Sequence, residues 1–203
     1  MTKTTRSRAR PADSARRREI LDAAAEVFAE KGVVAATVRD IGERAGILSG
    51  SLYHHFSSKE EMVAEILLPV LRSQVATFDA IATETGDPEQ ILRRLIGAAV
   101  AQTAADPYAA RIIRNDTRHF GVMQGLDEVV RQQRTVTSRW TSAVRKGIDI
   151  GLFRSDADPA IVTMSIADVV LGAYRYMRPM GRMPANHVAE QLAGLILDGL
   201  EVR

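Results

Sequence analysis

Ser49, Gly50 and Ser51, followed closely by Tyr53, His54 and Lys59, put short hydroxyls, a bare backbone, a phenol, an imidazole and an ammonium into one short stretch. These groups exchange hydrogen bonds, but nothing around them builds a nucleophile. The chain has no Cys, no Gly-rich phosphate loop and no nucleophile elbow, and only four His. His54 and His55 do not make a metal site, because neighbouring helical residues point about 100° apart and no Cys or close carboxylate completes the set. Recognition chemistry remains. Short polar side chains at the start of a helix can approach the base edges of a duplex groove, while Tyr53, His54 and Lys59 can reach phosphate oxygens or base edges. His55, beside Phe56, suits packing as well as DNA contact.

Helices must position these residues, since no strand-like alternation of useful length and no internal repeat occurs. Ile20, Leu21, Ala24, Val27 and Phe28 share one face of a first helix over 14–31, stopped by Gly32. Thr37 as N-cap with Asp40 three residues on predicts a short second helix, 38–45. Gly46 allows a left-handed turn, and Ser49 then caps a third helix over 50–56, with Leu52 and Phe56 inward. Two short helices joined through a Gly turn behind a longer one describe a helix-turn-helix unit.

The Ser58 to Glu61 capping box starts a fourth helix, to about residue 85, with Pro69 predicting a kink. Helices over 88–105, 107–119, 126–150, 159–177 and 185–201 complete an all-α chain of about nine helices. Residues 1–13 are expected to be a disordered basic arm, 14–60 the helix-turn-helix domain, and 61–203 a helical bundle.

The bulk numbers agree with a globular protein. Of 203 residues, 46% are hydrophobic and 26% charged, too apolar for a disordered chain. Residues 1–60 carry 11 basic against 8 acidic side chains, a net +3, whereas 61–203 carry 16 against 17, a net −1. Lys3, Arg6, Arg8, Arg10, Arg16, Arg17 and Arg18 concentrate that excess at the front, either as a solvated tail or as an arm on nucleic acid. Asp22 and Glu26 interrupt any signal-peptide core, and no run reaches about 18 apolar residues, so a cytoplasmic protein with no membrane contact is expected.

Thr37 to Met62 reads TVRDIGERAGILSGSLYHHFSSKEEM. Its T-x-R-x-I, A-G turn, L-Y-x-H-F and K-E pair closely resemble the DNA-binding signature of TetR-type regulators, and the resemblance covers 14–65 well. It implies that Thr37, Arg39 and Lys59 touch the DNA backbone. It also implies a palindromic operator bound by a homodimer, packed through 159–177 and 185–201, and a small-molecule effector that releases the repressor. The spelling GILSGSLYHHFSSKEEM looks most like actinobacterial regulators of steroid and acyl-CoA catabolism, which makes a steroid or acyl-CoA the expected effector. No cofactor or metal is implied, and no enzymatic activity. A small all-helical enzyme and a protein-binding helical adaptor are the rival readings.

Tyr108, Phe120, Met123, Trp140, Met164, Tyr174 and Arg175 are the candidates for an effector pocket between helices, though Met and aromatic residues at helical spacing equally fill plain core. Arg111, Arg114 and Arg118 form a positive stripe. It is either a solvated face paired with Asp116 or other acids, or a strip that holds an anionic effector.

Overall fold

A computed structural model describes residues 11–177 and 182–202. Its helices are α1 (Pro11–Lys31), α2 (Val38–Ala45), α3 (Ser49–Leu52), α4 (Lys59–Glu84), α5 (Pro88–Ala105), α6 (Pro107–Phe120), α7 (Asp127–Asp149), α8 (Pro159–Gly172) and α9 (Ala185–Leu200). A single 3-10 turn, Ala173–Arg175, follows α8. No strand occurs among the described residues, only two isolated bridges, so the fold is all-α as the periodicity predicts.

One device starts three helices. At Asp87-Pro88, Asp106-Pro107 and Asp158-Pro159 the carboxylate accepts a backbone N–H of the first turn, from Glu89 at 3.0 Å, Ala109 at 2.9 Å and Ala160 at 2.7 Å. The proline next to each cap needs no N–H partner and arrives with helical φ.

Three boundaries differ from the sequence expectation. The first helix begins at Pro11, inside the stretch expected to be an arm; the arm's basic residues at 3, 6, 8 and 10 lie outside the described residues. The third helix is capped by Leu48, not Ser49, and ends at Leu52. Beyond it the N–H groups of His54 and His55 bond to Ser51 and Leu52 three residues back, which tightens the chain into turns. The eighth helix stops at Gly172, where the Arg175 side chain donates to the Gly172 carbonyl at 3.3 Å and the backbone narrows to the 3-10 turn.

The core has two parts. Ile20, Phe28, Ile41, Leu52 and Phe56 pack with the first half of α4 and with Ile112, Phe120 and Val129 from α6 and α7. The helix-turn-helix thus shares its core with the bundle rather than closing one of its own. Phe78, Leu92, Trp140, Val144, Phe153, Ile166, Val188 and Leu197 build the second part from α4, α5, α7, the loop after it, α8 and α9. Among the described helices α4 is the one long and apolar enough to cross a bilayer. It nevertheless buries Met62, Val63, Leu67, Leu71, Phe78 and Ile81 against its neighbours.

Candidate nucleic-acid interface and effector cavity

Thr37 and Asp40 close a complete capping box at the start of α2. The Thr37 hydroxyl accepts from the Asp40 N–H at 3.1 Å and donates to the Asp40 carboxylate at 2.8 Å, which also accepts the Thr37 N–H at 2.9 Å. Lys31 adds a 2.6 Å ion pair. That ammonium, then the Thr37 N–H and hydroxyl, hold the Asp40 carboxyl far below the usual carboxylate range. The box therefore holds throughout neutral and mildly acidic pH, and its contribution falls away progressively as pH drops below the ordinary aspartate value toward that depressed one.

The turn into α3 is set by two glycines. Gly46 takes φ 66°, and the N–H of Ile47 returns to the Gly42 carbonyl at 2.9 Å. A Cβ on Gly42 would stand 3.0 Å from the Ile47 carbonyl and 3.4 Å from Ser49, so a side chain there would press the turn into α3 outward by a few tenths of an ångström. Sequence reasoning passed over Gly42, although a glycine inside a helix, costing about 1 kcal/mol against Ala, signals such an approach.

Arginines lash this unit to its surroundings. Arg44 bridges Glu26 and Glu30 of α1, each at 2.7 Å. Arg17 pairs with Glu61 and Glu65 of α4 and lies 4.1 Å over the Phe56 ring. Arg17 is a strut between α1 and α4 here, and Arg16 is held by Glu19 and the Ala45 carbonyl.

On this scaffold Gly50, Tyr53 and His54 are exposed, Tyr53 by 61%, with Ser49 and Ser51 half-buried beside them. Thr37 and Arg39 are exposed on α2 and its cap; Arg39 pairs with Glu43 at 2.9 Å. His55 is half-buried. Lys59 does something the sequence did not suggest. Its ammonium donates to the carbonyls of Val33 (2.7 Å), Ala36 (3.1 Å) and Val34 (3.2 Å), which uses all three protons to pin the α1–α2 loop. Lys59→Ala should cost about 1–2 kcal/mol, seen as a melting temperature about 3–6 °C lower. Lys59→Arg should not restore it, because a planar guanidinium cannot aim three donors at one cluster of carbonyls.

Behind this face, a cavity of about 230 Å³ opens between α4, α5, α6, α7 and α8. Trp140 forms one wall, edge-on to Phe78 at 5.1 Å, with Ala99, Thr163 and Met164 on others and Arg114 on α6. Trp140 and Met164 are thus the two pocket candidates at the cavity. Phe120 and Met123 pack in the helix-turn-helix core, Tyr108 sits at the surface, and Tyr174 lies under Arg111 with 5.9 Å to its ring centre. Arg175 is turned back onto Gly172. The cavity's polar wall, which sets Arg114 with Thr103 and Thr163 and also with the carboxylates of Asp106 and Asp168, was missed as a set because burial of single polar groups leaves no periodic signal.

The arginine stripe divides. Arg111 stacks on Tyr174, Arg114 reaches the cavity, and Arg118 joins Arg134 and Arg145 in a groove of about 580 Å³ between α6 and α7. This groove shares Thr117, Gln133 and Thr137 with the cavity. Asp116 does not neutralise the stripe: it is buried at 3% exposure against Gly32 of the α1–α2 loop. Among the described residues, none of Arg114, Arg118, Arg134 and Arg145 has a carboxylate partner, and no group of three or more His, Asp and Glu could hold a metal ion.

A short exposed helix seated across a glycine turn, braced by its neighbours and joined through α6 to a cavity in a helical bundle, defines a helix-turn-helix DNA-binding transcriptional regulator. The sequence matches the family described as "Bacterial regulatory proteins, tetR family" over residues 20–66 and "Tetracyclin repressor-like, C-terminal domain" over 85–200. The chain belongs to the TetR family, and its DNA binding is sequence-specific. It is 36% identical over 187 residues to the transcriptional repressor KstR2 of Rhodococcus jostii, covering 92% of each chain. It is likewise 36% identical over 190 residues to KstR2 of Mycobacterium tuberculosis, covering 92% of this chain and 94% of that one. The solved structure of that ketosteroid transcriptional regulator superposes with a TM-score of 0.80 at 34% identity, over 93% of this chain and 96% of the other.

Proposed function

We propose that this chain is a cytoplasmic, non-enzymatic repressor that grips a palindromic operator as a homodimer and lets go when an effector enters the bundle. The observation that carries the reading is the exposed surface of Gly50, Tyr53 and His54 on a helix-turn-helix whose brackets are all internal. Ser49, Gly50 and Ser51 approach base edges, while Thr37, Arg39, Tyr53 and His54 meet phosphates and fix register. Lys59 serves the same interface by holding the loop ahead of Thr37.

The dimer forms through α8 and α9. Ile161, Met164, Val169 and Leu195 leave 66%, 67%, 39% and 73% of their surface uncovered there, which suits a two-fold apolar interface. The effector has an apolar body for the cavity beside Trp140 and an anionic end for the adjoining Arg118, Arg134 and Arg145 groove, as steroid acids and acyl-CoA thioesters do. That groove has no carboxylate among the described residues lining it, whereas Asp106 and Asp168 share the cavity wall with Arg114. The similar protein whose solved structure is described as a ketosteroid transcriptional regulator supports the steroid side of that class. Because α6 carries both cavity residues and the packing on α1, a ligand that favours one setting of α6 shifts the helix-turn-helix. It weakens DNA binding only by its differential affinity for the two settings.

Titrating a steroid and acyl-CoA panel into a protein–operator complex tests this: one member should release DNA and raise the melting temperature of the free protein. If no steroid acid or thioester does either, the effector class is wrong. Ala99→Phe, which fills the cavity from α5, should keep operator affinity while raising the effector concentration needed for release at least about tenfold.

A further inference from the structure

Ile47 and Leu48 are adjacent apolar residues with opposite fates. Ile47 turns into the helix-turn-helix core, whereas Leu48 leaves 81% of its surface in solvent. A single exposed leucine is ordinary; its setting here is not. Leu48 is the N-cap of α3, a position that favours Ser, Thr, Asp or Asn, and no side chain caps this helix. The Leu48 carbonyl accepts the Ser51 N–H at 2.9 Å, and the Ile47 N–H is tied to Gly42 at 2.9 Å, so the residue is held in place rather than trailing in a loop. Two residues on, Gly50 has open space where a side chain would stand, leaving Leu48 as the bulkiest group at the leading end of α3. Among the described residues, Tyr53 is the other strongly exposed large apolar side chain near α3, at its far end; Ile161, Met164 and Leu195 lie on the α8–α9 face, Val122 after α6, Ile150 after α7, Val34 in the α1–α2 loop and Val202 after α9.

An apolar side chain at the front of a helix that enters the major groove has one apolar feature to meet on a base pair, the C5-methyl group of thymine. Resting on the DNA-binding reading above, we propose that Leu48 is a specificity-determining residue that reads one thymine per half-site through its methyl group. The contact adds no hydrogen bond. It rewards thymine over cytosine at that position and is blind to the Watson–Crick edge.

The test starts from an operator selected out of a random duplex pool by the full-length protein, with each thymine then replaced singly by uracil, which deletes the methyl and keeps the pairing. At one symmetry-related pair of positions the wild type should bind about fourfold more weakly per half-site, the loss expected for one desolvated methyl. Leu48→Ala should bind the thymine and uracil versions of that position equally, with an unchanged melting temperature. If no thymine is sensitive, or if Leu48→Ala keeps the wild-type sensitivity, the assignment is overturned while DNA recognition stands. If the pool yields no preferred sequence at all, the DNA-binding reading itself has failed.

Discussion

Gly50→Glu should abolish operator binding while leaving the protein fully folded. No heavy atom lies within 4 Å of where a Cβ at Gly50 would stand, so the fold has room for the new side chain. A glutamate early in a helix also favours the positive end of the peptide dipoles, and replacing glycine by a better helix former adds a few tenths of a kcal/mol. On DNA the same carboxylate is pressed toward the phosphates and base acceptors, and only a cytosine or adenine amino group lying directly opposite could satisfy it. Trapping an unpaired charge there costs several kcal/mol, so affinity should drop by at least about a hundredfold, close to 3 kcal/mol. Anisotropy titrations and thermal melts on the same preparation separate the two effects. An unchanged affinity would mean that this face of α3 never meets DNA, and a collapsed melt would mean that Gly50 is structural.

Gly147→Ala is the opposite experiment, a change far from DNA that attacks the fold. The end of α7 lies flat against the Phe153 ring, whose backbone N–H returns to the Gly147 carbonyl at 3.0 Å. A Cβ at Gly147 would overlap the ring itself. Phe153 is 1% exposed, and its loop is clipped to α9 by the Arg154 N–H on the Leu200 carbonyl at 2.8 Å, so the ring has nowhere to retreat. Overpacking of this kind costs about 3 kcal/mol, which should lower the melting temperature by about 6–12 °C. Phe153→Leu in the same chain should recover part of the loss. Because α9 belongs to the proposed dimer interface, Gly147→Ala should also weaken self-association, readable by analytical ultracentrifugation.

What the sequence disclosed was mostly local. Thr37 with Asp40, Gly46, and the Asp-Pro steps at 87, 106 and 158 are decided by neighbours within four residues, and helix starts followed from them. The cap of α3 escaped because a four-residue helix has no periodicity to fix its frame. Ser49 and Leu48 can each precede it, and the tie from Ile47 to Gly42 settles the frame. The cavity was half legible. Trp140 and Phe120 look alike in sequence, both large aromatic residues on amphipathic helices. Whether each faces a void or a filled core depends on which helix packs opposite, a long-range fact. The three carbonyls gathered by Lys59 and the burial of Asp116 against Gly32 are long-range facts of the same kind. The helix-turn-helix was legible because its residues are contiguous and ordered, so that TVRDIGERAGILSGSLYHHF carries the resemblance intact.

The central claim, that the surface beginning at Leu48 and running through His54 reads a duplex, is tested most directly by titrating purified protein against labelled DNA from upstream of its own gene and against a scrambled duplex, in about 150 mM salt. Specific sites are bound about a thousandfold or more tightly than random ones by proteins of this kind. A preference of at least about a hundredfold, lost in Gly50→Glu, is the predicted result. Equal affinity for the two duplexes, or a preference that survives Gly50→Glu, would contradict it.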